Sequence, residues 1–114
     1  MKDIISPVHH EHILTLSECF EKKVFHSQAN LFYEEHVPHV AYLLLEGRIT
    51  LGKKNKVLKF VEGANLIGIK NLYQRIPVKF FASIMPNSTV LIIDRTTLFK
   101  VINKRTHLYN FLFT

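Results

Sequence analysis

From Phe20 to Ile93 the chain is cut into short apolar or alternating runs by turn signals. Ser27-Gln28-Ala29-Asn30, Glu46-Gly47, Gly52-Lys53-Lys54-Asn55-Lys56, Glu62-Gly63 and Pro86-Asn87-Ser88 punctuate it. Turns at roughly ten-residue spacing leave room only for short strands, seven or eight of them, so the middle of the chain reads as an all-β barrel or sandwich. Val40 to Leu45 is apolar without a break, as a buried strand is, whereas Arg48-Ile49-Thr50-Leu51 alternates. Phe20 to His26 and Leu31-Phe32-Tyr33 add strands before these, while Val57 to Val61, the β-rich stretch Val78 to Met85 and Thr89 to Ile93 add strands after them.

The two ends have a different period. Ile13, Leu16 and Phe20 recur at helical spacing, and Ser6-Pro7 suits a helix start with serine as cap. Leu98, Val101, Ile102, Arg105, Leu108, Phe111 and Leu112 mark a second helix, with Asp94 as its cap. The expected layout is one domain over 1–114: a helix over about 7–19, a β-barrel over about 20–93 and a closing helix over about 95–113. The 114 residues suffice for a core without a disulfide or metal staple. The one cysteine, Cys19, reads as a small core residue.

Composition excludes several classes. With 47% apolar and 21% charged residues the chain is globular. It has no run of transmembrane length and no signal-peptide core, so a cytoplasmic location is expected. The net charge of +6 is spread along the chain, dense only at Lys53-Lys54-Asn55-Lys56. No DNA-binding motif accompanies it, so it reads as a solvated basic surface. Nor is there a phosphate-binding Gly-rich motif of nucleotide hydrolases, a Ser-His-Asp order in motif context or a pair of carboxylates in an apolar setting, so no enzyme is expected. His9, His10 and His12 cluster near one end, and His36 and His39 share a loop with Glu34 and Glu35. Their spacing fits no inward-facing metal set, and they read as solvated histidines.

Helix, eight-stranded jelly roll, helix is a layout this sequence shares, from about Phe20 onward, with the cyclic-nucleotide-binding domain family, which it resembles. Ala41-Tyr-Leu-Leu-Leu-Glu-Gly47-Arg-Ile-Thr-Leu51 is the nearest likeness, similar to the family's apolar strand, glycine turn and following strand. Phe20 to Phe25 with Asn30 to Tyr33 looks like the family's first strands, and Thr89 to Phe99 like its last strand and closing helix. The resemblance implies a mainly β, eight-stranded jelly-roll barrel with flanking helices. It also implies that Gly63 and Gly68, in the stretch GANLIGIKNLYQRIPVKFFA that ends at Ala82, bracket a phosphate-binding cassette.

The family's cassette cradles a cyclic phosphate on backbone N–H groups at a short helix start, where glycine lets the backbone approach. The family adds a glutamate after the second glycine for the ribose and an arginine after a proline for the phosphate. This chain has Ile69 after Gly68, and Val78-Lys79-Phe80 after Pro77; Phe80 and Phe81 precede Ala82 where small residues are usual. Isoleucine accepts no hydrogen bond. Losing such bonds and a charge-assisted pair weakens a ligand by roughly a hundredfold or more. The cassette therefore reads as degenerate, its candidate residues being Gly63, Gly68, Ile69, Lys70, Asn71, Leu72, Arg75, Lys79, Phe80, Phe81 and Ala82.

The function expected is a non-catalytic regulatory or sensor module. Cyclic nucleotide binding is expected to be weakened or lost, with action through a protein partner, self-association along the C-terminal helix, or a non-standard small anionic ligand. The alternative is a working cyclic-nucleotide sensor in which Lys70, Arg75 or Lys79 takes the phosphate. No cofactor, membrane partner or attached DNA-binding domain is expected.

Overall fold

The alternating runs pair into two antiparallel sheets that face one another. This computed structural model describes residues 4–105 and 107–113, the side chain of Phe111 excepted. The order is β1 (Ile5–Pro7), α1 (His10–Cys19), β2 (Glu21–Phe25), β3 (Ala29–Phe32), β4 (Val40–Glu46), β5 (Arg48–Lys53), β6 (Lys56–Glu62), β7 (Asn65–Ile67), α2 (Ile69–Gln74), β8 (Phe81–Ile84), β9 (Ser88–Asp94), α3 (Arg95–Lys104) and α4 (His107–Leu112). One sheet runs β1-β7-β4-β9-β2 and the other β3-β8-β5-β6. The jelly roll is thus a mainly β sandwich of two open sheets, not a closed barrel.

Two cores explain the apolar pattern. On the helical side, Leu16 of α1, Leu72 of α2, Leu98 of α3 and Leu108 and Leu112 of α4 pack on Ala41, Leu43, Leu66, Leu91 and Ile93 of the five-stranded sheet. Between the sheets lie Leu44, Ile67 and Val90 from one side and Phe32, Ile49, Leu51, Val61, Ala82 and Ile84 from the other. Successive side chains on β4 and β9 therefore enter opposite cores. That is why Val40 to Leu45 lacks polar alternation: both faces of β4 are covered. Each leucine buried in this way contributes roughly 1.5–3 kcal/mol.

Turn chemistry sets the register. Lys54 and Asn55, at φ 53° and 65°, form the two-residue connection of β5 to β6, a type that matches strand twist. Gly47 turns β4 into β5 at φ 97°, with Ser88 so near that a Cβ would lie 2.7 Å from the Ser88 Cα. The fully buried Ser88 hydroxyl accepts a hydrogen bond from the Arg48 N–H at 3.1 Å.

Four local expectations need correction. Ser6 and Pro7 do not start the first helix: Ile5–Pro7 pairs with β7 as an edge strand, where a missing N–H is tolerated, and α1 begins at His10 with His9 as its cap residue. The stretch from Val78 is a strand only from Phe81, because both backbone groups of Val78 bond the β3–β4 loop, its N–H to His36 at 3.0 Å and its carbonyl from Glu35 at 2.7 Å. The β5–β6 loop is only Lys54-Asn55, since Lys53 and Lys56 already pair. The closing helix is two helices: α3 ends with Arg105 as its cap residue, and α4 begins at His107. The Phe111 position expected on that helical face lies outside the described side chains. Asp94 does cap α3, its carboxylate accepting from the Thr97 N–H at 3.0 Å and the Thr97 hydroxyl at 2.9 Å. Cys19 packs half-buried against the helical core.

Candidate functional site

Strand β7 delivers Gly68 in the left-handed region (φ 78°, ψ 15°), where it caps the N-terminus of the six-residue α2. This is the geometry of a short-helix anion cradle. Here, though, its glycine is engaged within the chain. The Gly68 N–H donates to the Ile4 carbonyl at 2.9 Å. A Cβ at Gly68 would stand 2.6 Å from Cζ of Phe32, so the glycine makes room for that ring. Phe32 is 4% exposed and packs in the inter-sheet core, tilted on Tyr42 at 5.6 Å. Gly63, at φ 78°, has open space around its missing Cβ and serves the turn alone.

The other cassette positions divide between the two cores and the surface. Ile69, 2% exposed, packs in the helical core together with Leu72. Val78, 1% exposed, lies in the inter-sheet core, and Phe80 packs half-buried against it with the Lys53 ammonium 5.8 Å from the ring centre. Ala82 is buried in that core too. Phe81 turns the other way. It pairs with Gly52 and its ring fills the space a Cβ there would need, on the face shared with Ser83, whose hydroxyl donates to Asn30 at 3.0 Å. Of the two phenylalanines, then, only Phe80 packs against the interior.

The polar candidates are spread from the first turn of α2 to the segment beyond it. Lys70 is half-buried in the first turn of α2 and Lys79 is exposed beyond the helix. The Asn71 side-chain amide donates to the Ile76 and Pro77 carbonyls at 3.3 and 3.2 Å, stapling the turn after α2. Arg75 is exposed at the helix end in the left-handed region, φ 57°.

Two residues the sequence reading passed over shape this region. Phe32 is one, placed there by the inward alternation of β3. Arg95 is the other: it donates from Nε to the Leu72 carbonyl and from Nη2 to the Tyr73 carbonyl, each at 3.3 Å, and its guanidinium lies 4.5 Å from the Phe99 ring centre. Tyr73 in turn packs on Phe99 and Phe113 at 5.2 and 4.7 Å, joining α2 to α3 and the C-terminal segment. A largely apolar cavity of about 260 Å³ opens beside Phe32, lined by Leu31, Val40, Tyr42 and Val78 among others. Burial pushes the Tyr42 phenol above its ordinary value, so it stays neutral near pH 7. Among the described residues no three of His, Cys, Asp and Glu are grouped to hold a metal, and no helix is long and apolar enough to cross a membrane.

The order of strands, with a short glycine-capped helix between β7 and β8 and helices closing on one sheet, can be set beside known structures. The catabolite activator protein of Thermus thermophilus superposes with a TM-score of 0.76 at 15% identity, over 92% of this chain and 52% of that one. A cyclic nucleotide-binding-like protein from Brucella abortus gives 0.70 at 21% identity, over 82% and 84%. The chain has the cyclic-nucleotide-binding fold. A structure described with a cyclic-GMP-dependent signalling pathway that regulates bacterial phytopathogenesis shares that cyclic-nucleotide-binding fold at a TM-score of 0.82, with 14% identity over 94% of this chain and 89% of that one. No family model and no curated protein matches the sequence. At these identities the likeness concerns the cyclic-nucleotide-binding fold alone, and function has to be argued from the site.

Proposed function

We propose that this chain is a non-catalytic regulatory or sensor module on a cyclic-nucleotide-binding fold. In this reading its binding of cyclic mononucleotides is weakened or lost, and it acts through a protein partner or a non-standard ligand. The observation that carries the proposal is the Phe32 ring packed against Gly68, the residue whose bare backbone would otherwise face a phosphate. Two further features support it. The Gly68 N–H is already bonded to Ile4, and Ile69, in the position of the ribose-binding carboxylate, belongs to a dry core. A nucleotide would have to displace a buried ring and a backbone hydrogen bond, with no carboxylate to receive the ribose.

A second reading rests on Lys79, exposed just beyond Val78 and without an ion pair among the described residues. It keeps a working sensor in which Lys79 meets the phosphate. Calorimetric titration with cyclic AMP, cyclic GMP and cyclic dinucleotides separates the two. The first reading expects no saturable heat from cyclic AMP or cyclic GMP at micromolar protein. Micromolar binding of a mononucleotide that Lys79→Ala abolishes would overturn it and establish the second.

A further inference from the structure

A cleft of about 280 Å³ lies between the β3–β4 loop and the C-terminal end of α2, lined by Val37, Pro38, His39, Leu72, Arg75 and Arg95. Two guanidiniums and an imidazole line it, and no carboxylate does. The ion pairs among the described residues, His12 with Glu11 and Arg48 with Glu62, leave both arginines out. We propose that this cleft binds a small organic carboxylate carried on an apolar body.

The backbone of the walls and the Arg95 guanidinium are held in place before any ligand arrives. Arg95 engages Nε and Nη2 with carbonyls of α2 and lies against Phe99, yet a guanidinium has five N–H donors, so three remain. Arg75 sits in the left-handed region with its N–H on the Asn71 carbonyl, and the turn behind it is stapled by the Asn71 side chain. On the opposite wall the β3–β4 loop is pinned to Val78 by two backbone hydrogen bonds. The backbone of the walls needs little ordering on binding, and the exposed Arg75 side chain is the part a ligand would order.

The chemistry selects the ligand. A planar carboxylate matches the guanidinium fork and gains charge-assisted hydrogen bonds. Val37 and Pro38 supply an apolar wall that inorganic phosphate would not use. The cleft is also separate from the glycine cradle. It lies toward the end of α2 opposite Gly68, about 9 Å away along the helix axis by helical rise, although Leu72 and Arg75 line it and also stand among the cassette candidates.

The test is an amide NMR titration of the full chain with sodium benzoate, and separately with inorganic phosphate, at constant ionic strength. Benzoate is expected to give saturable shifts centred on Val37, His39, Leu72, Arg75 and Arg95. Arg75→Asn, which keeps a residue tolerant of positive φ, is expected to weaken binding at least tenfold, as is Arg75→Gly, and phosphate is expected to bind at least tenfold more weakly than benzoate. Any of three results overturns the proposal: no saturable shifts, shifts centred instead on the lysines of the β5–β6 hairpin, or folded Arg75 variants with unchanged affinity. Phosphate binding as tightly as benzoate overturns the assignment to a carboxylate.

Discussion

Arg95, the first residue of α3, donates from its Nε to the carbonyl of Leu72 in α2 at 3.3 Å, and so caps a helix to which it does not belong. A cation at a helix C-terminus satisfies carbonyls that the helix itself leaves bare and meets the negative end of its dipole. Arg95→Met should destabilise the fold by about 1–2 kcal/mol, read by urea unfolding, with faster amide exchange concentrated between residues 71 and 76. Arg95→Lys should recover less than half of the loss, because an ammonium cannot span the Leu72 and Tyr73 carbonyls as a fork does.

Gly68 combines a positive φ with a neighbour that cannot move cheaply, since the Phe32 ring is buried. Gly68→Ala should cost about 2–4 kcal/mol, a left-handed alanine and a clash together. Phe32→Leu removes the opposing ring. Unfolding of the double variant should therefore show less than the sum of the two single losses, by about 1 kcal/mol.

Arg75 occupies the left-handed position after α2 that glycine most often fills. Arg75→Gly should raise stability by up to about 1 kcal/mol in thermal or urea unfolding. A residue kept at a conformational cost while its replacement weakens carboxylate binding would point to selection for the guanidinium.

Asp94 connects stability to pH. Burial alone would raise its carboxyl, but the hydrogen bonds from Thr97 and the nearby Lys100 charge outweigh it and hold the group below its ordinary value. A lowered native value means that the contribution is complete above the ordinary aspartate range near pH 4 and fades as pH falls through the lowered value. At pH 7, Asp94→Ala should cost about 1 kcal/mol. The gap between wild type and Asp94→Ala, measured by urea unfolding, should narrow steadily below pH 4.

The succession of short strands was legible because its turns are chemically explicit. Gly47, Lys54-Asn55, Gly63 and Pro86-Asn87 separate runs whose period is plain. The two-faced burial of β4 was legible as well, in the unbroken apolar run to Leu45. What failed were places where tertiary pairing outweighs a local signature. Ser6-Pro7 carries the marks of a helix start, yet β7 offers Ile5 a ladder. Val78 has the composition of a strand, yet the β3–β4 loop takes both its backbone groups. In the site, the departures at Ile69 and Phe80 could be read residue by residue. The part played by Phe32 could not, because it comes from a strand distant in sequence and depends on register with β8.

Strand β4 has no outside. Its odd-numbered residues, Ala41 and Leu43, pack under the helices, while Leu44 faces the opposite sheet. A fragment ending at Asp94 would uncover the part of the five-stranded sheet that Leu98, Leu108 and Leu112 cover, and such an apolar surface is prone to stick to its own copies. The closing helices are therefore less like a handle fastened to a finished box than like its lid. Sheets and helices should melt in one transition, and a ligand that tightens α2 should raise the melting temperature of the whole chain, with no segment responding alone.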